Sequence, residues 1–293
     1  MLEIANITRS FSGTTVLDDV SFGVRPGRMT GFVGANGAGK TTTMRIILGV
    51  LSSDSGTVTL DGGPIGEGDR RRFGYMPEER GLYPKMKVAE QISYLARLHG
   101  LGATAAKRNT DALLERLGLA ERADDPVEKL SLGNQQRAQI AAALVHEPEV
   151  LILDEPFSGL DPIAVGTVLA VLKEYAGRGV PVLFSSHQLD IVERLCDDLV
   201  IIAGGRVRAA GEREALREAH SSPRYELVVP DDAGWVREVP GVTVVDFDGG
   251  TAVFESDADA AQRVLHEAVR RGEVTRFSPQ RPTLAEIFTE VIR

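Results

Sequence analysis

The sequence predicts an α/β fold in two parts, and three observations carry the prediction. A short apolar strand, Met29-Thr30-Gly31-Phe32-Val33, runs into a glycine-rich loop and then into a helix read over Thr42 to Leu48. Two almost wholly apolar runs, Val150 to Leu153 and Val180 to Phe184, have the composition of strands buried on both faces of a parallel sheet, with a helix expected over Ile163 to Ala176 between them. Between these halves, from Val88 to about Val145, apolar residues fall at three- and four-residue spacing, the period of helices.

Each element follows in order. Apolar and polar positions alternate through Leu2, Ile4, Ile7, Val16, Val20, Phe22, Val24, Val58 and Leu60, with turns at Gly13, Pro26-Gly27 and Gly62-Gly63. That pattern predicts a small antiparallel sheet around the first strand and helix. The inserted helical lobe reads as Val88 to Leu98, Thr104 to Leu117 and Asn134 to Val145. A strand over Leu199 to Ala203 completes an α/β unit that runs to about Ala219. Ser221-Ser222-Pro223 has the composition of a linker. Beyond it come strand Tyr225 to Val229, helix Asp232 to Glu238, strand Val242 to Phe247, a Gly249-Gly250 turn, strand Thr251 to Phe254, helix Ala258 to Arg271, strand Glu273 to Ser278 and a last helix from Thr283. The order β-α-β-β-α-β is that of a small ferredoxin-like α+β domain. The expected division is residues 1–220, with the helical subdomain at about 85–145, and residues 224–293.

At 293 residues the chain can build two cores, and 43% apolar with 26% charged residues is an ordinary globular composition. The net charge of -9 argues against a protein whose task is gripping nucleic acid, so no nucleic-acid partner is expected. No apolar run approaches the roughly 18 to 20 residues that span a bilayer. Met1-Leu2-Glu3-Ile4 lacks the basic and apolar regions of a signal peptide, so a cytoplasmic place is expected, with any membrane role supplied by a partner. Cys196 is the only cysteine, which excludes an intrachain disulfide and reads as a small buried apolar residue.

The chemistry starts at Gly34-Ala35-Asn36-Gly37-Ala38-Gly39-Lys40-Thr41, which fits G-x-x-x-x-G-K-[ST] in a strand–loop–helix setting. Glycines let the loop turn its N–H groups inward around anionic oxygens, Lys40 reaches the β- and γ-phosphates, and the Thr41 hydroxyl is placed for Mg²⁺. A phosphate loop alone fits kinases, GTPases, helicases and transporters. Asp154 and Glu155 follow the buried run Val150 to Leu153, at the strand end where open α/β sheets place ligands. Asp154 suits Mg²⁺, and Glu155 suits the general base that polarises the attacking water.

Leu130-Ser131-Leu132-Gly133-Asn134-Gln135-Gln136-Arg137 discriminates among those classes, because it resembles the LSGGQ signature of the ATP-binding subunits of ABC transporters. Ser131 and Gly133 match, Leu132 and Asn134 depart, and Gln135 or Gln136 keeps the amide nearby. The resemblance extends to Ser158-Gly159-Leu160-Asp161, matching the D-loop, and to His187, matching the histidine that bonds the γ-phosphate. It implies a RecA-like P-loop NTPase core with an antiparallel β subdomain and an inserted helical subdomain. It also implies an ATP and Mg²⁺ site made of Phe11 (stacked on adenine), Gly34, Asn36, Gly37, Gly39, Lys40, Thr41 and Thr42, with Lys40, Glu155 and His187 in the catalytic step. Ser131, Gly133 and Gln135 would then contact ATP held by another subunit, so the implied partners are a second copy or a similar ATPase, and a separate membrane permease at the inner face of the membrane.

One departure stands out. Where the family usually has a glutamine, Phe73-Gly74-Tyr75-Met76-Pro77-Glu78 supplies a carboxylate, and Glu78 is expected beside Thr41 and Asp154 as a third oxygen donor near the metal. Arg281-Pro282-Thr283-Leu284-Ala285-Glu286-Ile287-Phe288 resembles the extra domain of ABC-2-type sodium and drug exporter ATPases. Trp235, His266, Glu255, Asp257 and Asp259 are read as core and solvated surface, with no catalytic grouping. A soluble ABC ATPase of translation or DNA repair is the alternative, but such proteins usually carry two cassettes or a long coiled-coil insert. A nucleotide kinase or GTPase would need an acceptor lid or an N-K-x-D segment, and would leave the signature unexplained.

Overall fold

The computed structural model describes residues 1–79, 81–219, 223–280 and 283–292, and these divide into two compact units, Met1–Arg213 and Glu214–Val291. The first unit contains, in chain order, β1 (Leu2–Phe11), β2 (Thr14–Val24), β3 (Met29–Val33), α1 (Lys40–Ile47), β4 (Ser55–Leu60), β5 (Gly63–Pro64), α2 (Glu67–Arg70), β6 (Phe73–Met76), α3 (Val88–Leu98), α4 (Ala103–Arg116), α5 (Leu132–Leu144), β7 (Val150–Leu153), α6 (Pro162–Gly177), β8 (Val182–Ser186), α7 (Leu189–Leu195), β9 (Asp198–Ala203) and β10 (Arg206–Glu212). Helix α8 (Arg213–Ala219) lies at the division. The expected linker residues Ser221 and Ser222, and Arg281 and Pro282 of the last motif, lie outside the described residues.

A six-stranded sheet in the order β10-β9-β3-β8-β7-β6 forms the centre of this unit. All its pairings are parallel except β10 on β9. Every residue of β3 and β7 is buried, which is why both read as uninterrupted apolar runs. A separate antiparallel sheet, β2-β1-β4-β5, lays its alternating face on α1. Leu2, Ile4, Leu17, Val20 and Phe22 join Phe32 of β3 and Met44 and Ile47 of α1 in one apolar cluster. The Phe22 and Phe32 rings, 5.1 Å apart, bridge the two sheets.

Among the boundaries that moved, two bear on the site, for physical reasons. The helix after the phosphate loop begins at Lys40, two residues before the expected Thr42, because Gly39 in a left-handed conformation turns the loop directly into the first helical turn. Strand β8 ends at Ser186 rather than Phe184, and Ser185 and Ser186 are buried within the sheet. An apolar run cannot reveal two buried serines: the Ser185 hydroxyl pairs with Asp154 and the Glu155 N–H just beyond β7, and the Ser186 hydroxyl accepts from the nearby Gln188 N–H. The β10 edge strand has too little alternation to be read at all. Cys196 is buried, 2% exposed, and burial pushes its thiol up to about 12, so it is a packing residue. No helix among the described residues is long and apolar enough to cross a membrane.

The second unit contains β11 (Arg224–Val228), β12 (Val242–Asp248), β13 (Thr251–Ser256), α9 (Ala258–Arg271), β14 (Arg276–Gln280) and α10 (Leu284–Ile292). Its sheet, β12-β13-β11-β14, is antiparallel throughout, the strand order of the ferredoxin-like arrangement. The first crossover is a 3-10 turn over Gly234–Glu238 where an α-helix was expected. Leu227, Ala252 and Phe254 meet Val264 and Ala268 of α9 in the core, with the Tyr225 ring stacked 5.9 Å from Phe254 and 5.7 Å from Phe277. Asp257 caps α9 by accepting from the Ala260 N–H at 2.6 Å, Glu255 pairs with Arg224 at 2.9 Å, and Arg271 lies 4.7 Å over the Trp235 ring. These contacts hold the elements of the second unit together.

Candidate nucleotide-binding and catalytic site

Strand order brings the chemistry together. Strand β8 lies between β3 and β7, and β6 flanks β7, all four parallel, so the segments leaving them share the carboxyl edge of the sheet. The phosphate loop leaves β3, Ser185 lies in the last two residues of β8 with His187 just beyond, Asp154 and Glu155 leave β7, and Glu78 follows β6. A cavity of about 400 Å³ opens there, lined by Val16, Asn36, Gly37, Gly39, Lys40, Thr41, Thr42, Glu78, Asp154 and Glu155.

The loop itself is fixed from behind and open in front. Gly39 has φ 111°, and a Cβ there would lie 2.5 Å from the Leu17 side chain; one on Gly34 would lie 2.5 Å from the Ile202 carbonyl oxygen. At Gly37 (φ 80°) an added Cβ would meet nothing within 4 Å, so that stretch faces open space. Lys40 is 7% exposed, and its ammonium donates to the Gly34 carbonyl at 2.7 Å and the Ala35 carbonyl at 3.3 Å. A cation held over the loop, at the N-terminus of α1, is an anion site in both charge and dipole.

Across the cavity the acids are held by a continuous run of hydrogen bonds. The Thr41 hydroxyl donates to Asp154 Oδ2 at 2.8 Å, and the Ser185 hydroxyl donates to Asp154 Oδ1 at 2.5 Å. Ser185 Oγ in turn accepts from the Glu155 N–H at 2.9 Å, and the Gln136 side chain donates to the Glu155 carbonyl at 2.9 Å. Glu155 Oε1 lies 2.9 Å from His187 Nδ1. Glu155 has φ 52°, a left-handed conformation that costs a non-glycine residue about 1 to 3 kcal/mol unless its surroundings enforce it. Asp154 is 1% and Glu155 7% exposed, whereas the His187 side chain is 51% exposed. Thr41 and Asp154, with Glu78 on the cavity wall, offer only hard oxygen donors, which fit Mg²⁺ with waters and phosphate oxygens as its other ligands.

Of the residues named from sequence, Asn36, Gly37, Gly39, Lys40, Thr41, Thr42, Glu78, Asp154 and Glu155 line this one cavity, Gly34 holds Lys40 from below and His187 touches Glu155. Phe11 is not in that lining: it sits beside the turn joining β1 and β2, 41% exposed, with the Arg9 guanidinium 4.8 Å over its ring. Ser131 caps α5, accepting from the Asn134 N–H at 3.3 Å, and an added Cβ on Gly133 would lie 3.4 Å from the Gly159 carbonyl oxygen. The Gln135 amide serves its own chain, donating to the Leu130 carbonyl at 3.0 Å and the Val127 carbonyl at 3.3 Å. Asp161 caps α6, accepting from the Ile163 and Ala164 N–H groups at 2.9 Å. Sequence reasoning passed over Ser185 and Val16 and left Gln136 without a role. Polar residues in an otherwise apolar strand and on the inner face of a helix were the available signal for Ser185 and Gln136.

The family model described as "ABC transporter" matches residues 17–158, and that described as "ATP-binding protein DrrA1-3-like, C-terminal domain" matches residues 211–292. The chain is 36% identical over 293 residues to the ABC transporter ATP-binding protein YhaQ of Bacillus subtilis (strain 168), spanning 100% of this chain and 98% of YhaQ. It is 37% identical over 219 residues to the linearmycin resistance ATP-binding protein LnrL of the same organism, spanning 74% of this chain and 70% of LnrL. A solved structure described as the ATP binding subunit of an ABC transporter superposes with a TM-score of 0.70 at 34% identity, over 75% of this chain and 92% of that one. These likenesses favour transport over the translation or repair alternative. A similarity running the full length of the chain, over a site with this geometry, decides the matter: the chain belongs to the ABC transporter ATP-binding proteins, the subunits that hydrolyse ATP to drive transport.

Proposed function

We propose that this chain powers export through a separate multi-span permease at the cytoplasmic face of a membrane, working head to tail with a second copy or a similar ATPase. The observation that carries the reading is the unbroken run of bonds from Thr41 through Asp154 and Ser185 to Glu155 and His187, at the rim of a cavity floored by the phosphate loop. Lys40 and the inward N–H groups of the loop hold the β- and γ-phosphates. Glu155 accepts a proton from the water that attacks the γ-phosphorus as the bond to the bridging oxygen breaks. His187 holds the Glu155 carboxylate from the solvent side. Mg²⁺, held by Thr41 and Asp154, supplies charge neutralisation of the phosphates when bound. Pairing is supported by Ser131, exposed at the start of α5 and, among the described residues, bonded only within its own cap, which leaves its hydroxyl and the Gly133 N–H available to a partner's γ-phosphate. Export is supported by relatives named for linearmycin resistance and Nod factor export.

The tagged full chain, recovered from solubilised membranes of the cell that makes it, should bring a multi-span membrane protein with it. Recovery from the soluble fraction alone would count against the permease assignment. Glu78 stands beside the metal donors in place of the family's usual glutamine. Its carboxylate strengthens Mg²⁺ binding and repels the γ-phosphate when metal is scarce. Glu78→Gln should therefore raise the Mg²⁺ concentration giving half-maximal hydrolysis by several-fold; an unchanged Mg²⁺ titration would remove Glu78 from the metal site.

A further inference from the structure

Glu155 is held at both ends of its peptide by side chains that no assigned role includes. Its N–H donates to Ser185 Oγ, which is fully buried in β8, and its carbonyl accepts from Gln136 Nε2, 4% exposed on α5. These two bonds lock a residue whose φ of 52° is unfavourable for any side chain other than glycine's. The same Ser185 hydroxyl donates to Asp154 Oδ1, so one atom sets both the carboxylate facing Thr41 and the backbone that aims the neighbouring carboxylate. Gln136 lies in the second turn of the helix that Ser131 caps.

We propose that Ser185 and Gln136 are positioning residues that together clamp the Glu155 backbone in its left-handed conformation, and that Gln136 thereby ties the aim of Glu155 to the helix beginning at Ser131. The proposal rests on Glu155 being the general base. A carboxylate that takes a proton from water is effective only within hydrogen-bond reach of it, and a displacement of about 1 Å can cost about 10²-fold in rate. If the α5 N-terminus engages ATP held by another subunit, a shift of that helix acts on the Glu155 carbonyl through one hydrogen bond. Each subunit's base then responds to the occupancy of the opposite site.

The test uses the full-length chain. Gln136→Met keeps the side-chain length and removes the donor; Ser185→Ala removes the hydroxyl, and Ser185→Thr keeps it. Gln136→Met and Ser185→Ala should each lower kcat by about 10- to 100-fold, with ATP affinity within twofold of wild type for Gln136→Met, and Ser185→Thr should restore most of the loss in Ser185→Ala. In a Glu155→Gln background, Gln136→Met should add no further loss, because the residue it positions is already disabled. Thermal melting with bound ATP verifies that each variant is folded. A further loss in the double variant equal to that of Gln136→Met alone would overturn the clamp, as would wild-type kcat in Gln136→Met and Ser185→Ala. If instead Glu155→Gln alone retains turnover, the base assignment fails and the clamp fails with it, so the two failures are separable.

Discussion

Glu155→Gln is expected to lower ATP turnover by about 10²- to 10⁴-fold, the usual contribution of a positioned general base, while leaving ATP affinity close to that of wild type. The amide keeps the size of the carboxylate, and the Glu155 backbone bonds to Ser185 and Gln136 do not involve the changed group. Only the proton acceptor is lost, together with the charge that faces His187. Binding without hydrolysis should trap the ATP-bound pair: by light scattering the variant should double in mass on adding ATP, and Ser131→Arg in the same background should keep it monomeric. Near-normal turnover in a fixed-time phosphate release assay would remove Glu155 from the chemistry.

Lys40→Ala should act on binding itself, weakening ATP affinity by about 10- to 100-fold, as expected for a charged hydrogen-bond partner contributing about 1.5 to 3 kcal/mol. The buried ammonium holds the loop through the Gly34 and Ala35 carbonyls and offers its remaining charge to the anion. Its loss removes both the charge and the support of the cradle, so KM and Kd should rise together. Undiminished affinity, measured by titration with a fluorescent ATP analogue, would contradict the phosphate cradle.

Local pattern made much of this site legible. The phosphate loop is a run of eight residues whose glycines are demanded by short-range geometry: at Gly39 a left-handed backbone, and at Gly34 and Gly39 close neighbours that leave no room for a Cβ. Buried strands such as β3 and β7 announce themselves as apolar because both faces are covered. The second unit was legible from turn residues and alternation, although its first crossover, expected as a helix, is too short for more than a 3-10 turn. Ser185 and Gln136 were not legible as site residues. A serine or glutamine has meaning only through the partner its polar group finds, and these partners lie 30 and 19 positions away in the chain. Phe11 was named only through the family resemblance, and in the structure it lies exposed against Arg9 beside the β1–β2 turn.

The sequence by itself determined that a phosphate loop, two acids at a strand end and a capped signature helix would be present, because each is written in contiguous residues whose spacing enforces local geometry. Only the tertiary structure decided which groups share hydrogen bonds. Placing β8 between β3 and β7 set one buried hydroxyl between the Asp154 carboxylate and the backbone of Glu155, and laid Gln136 of α5 on the carbonyl beside it. Strand order is set by the packing of apolar faces far apart in the chain, and no short motif records it.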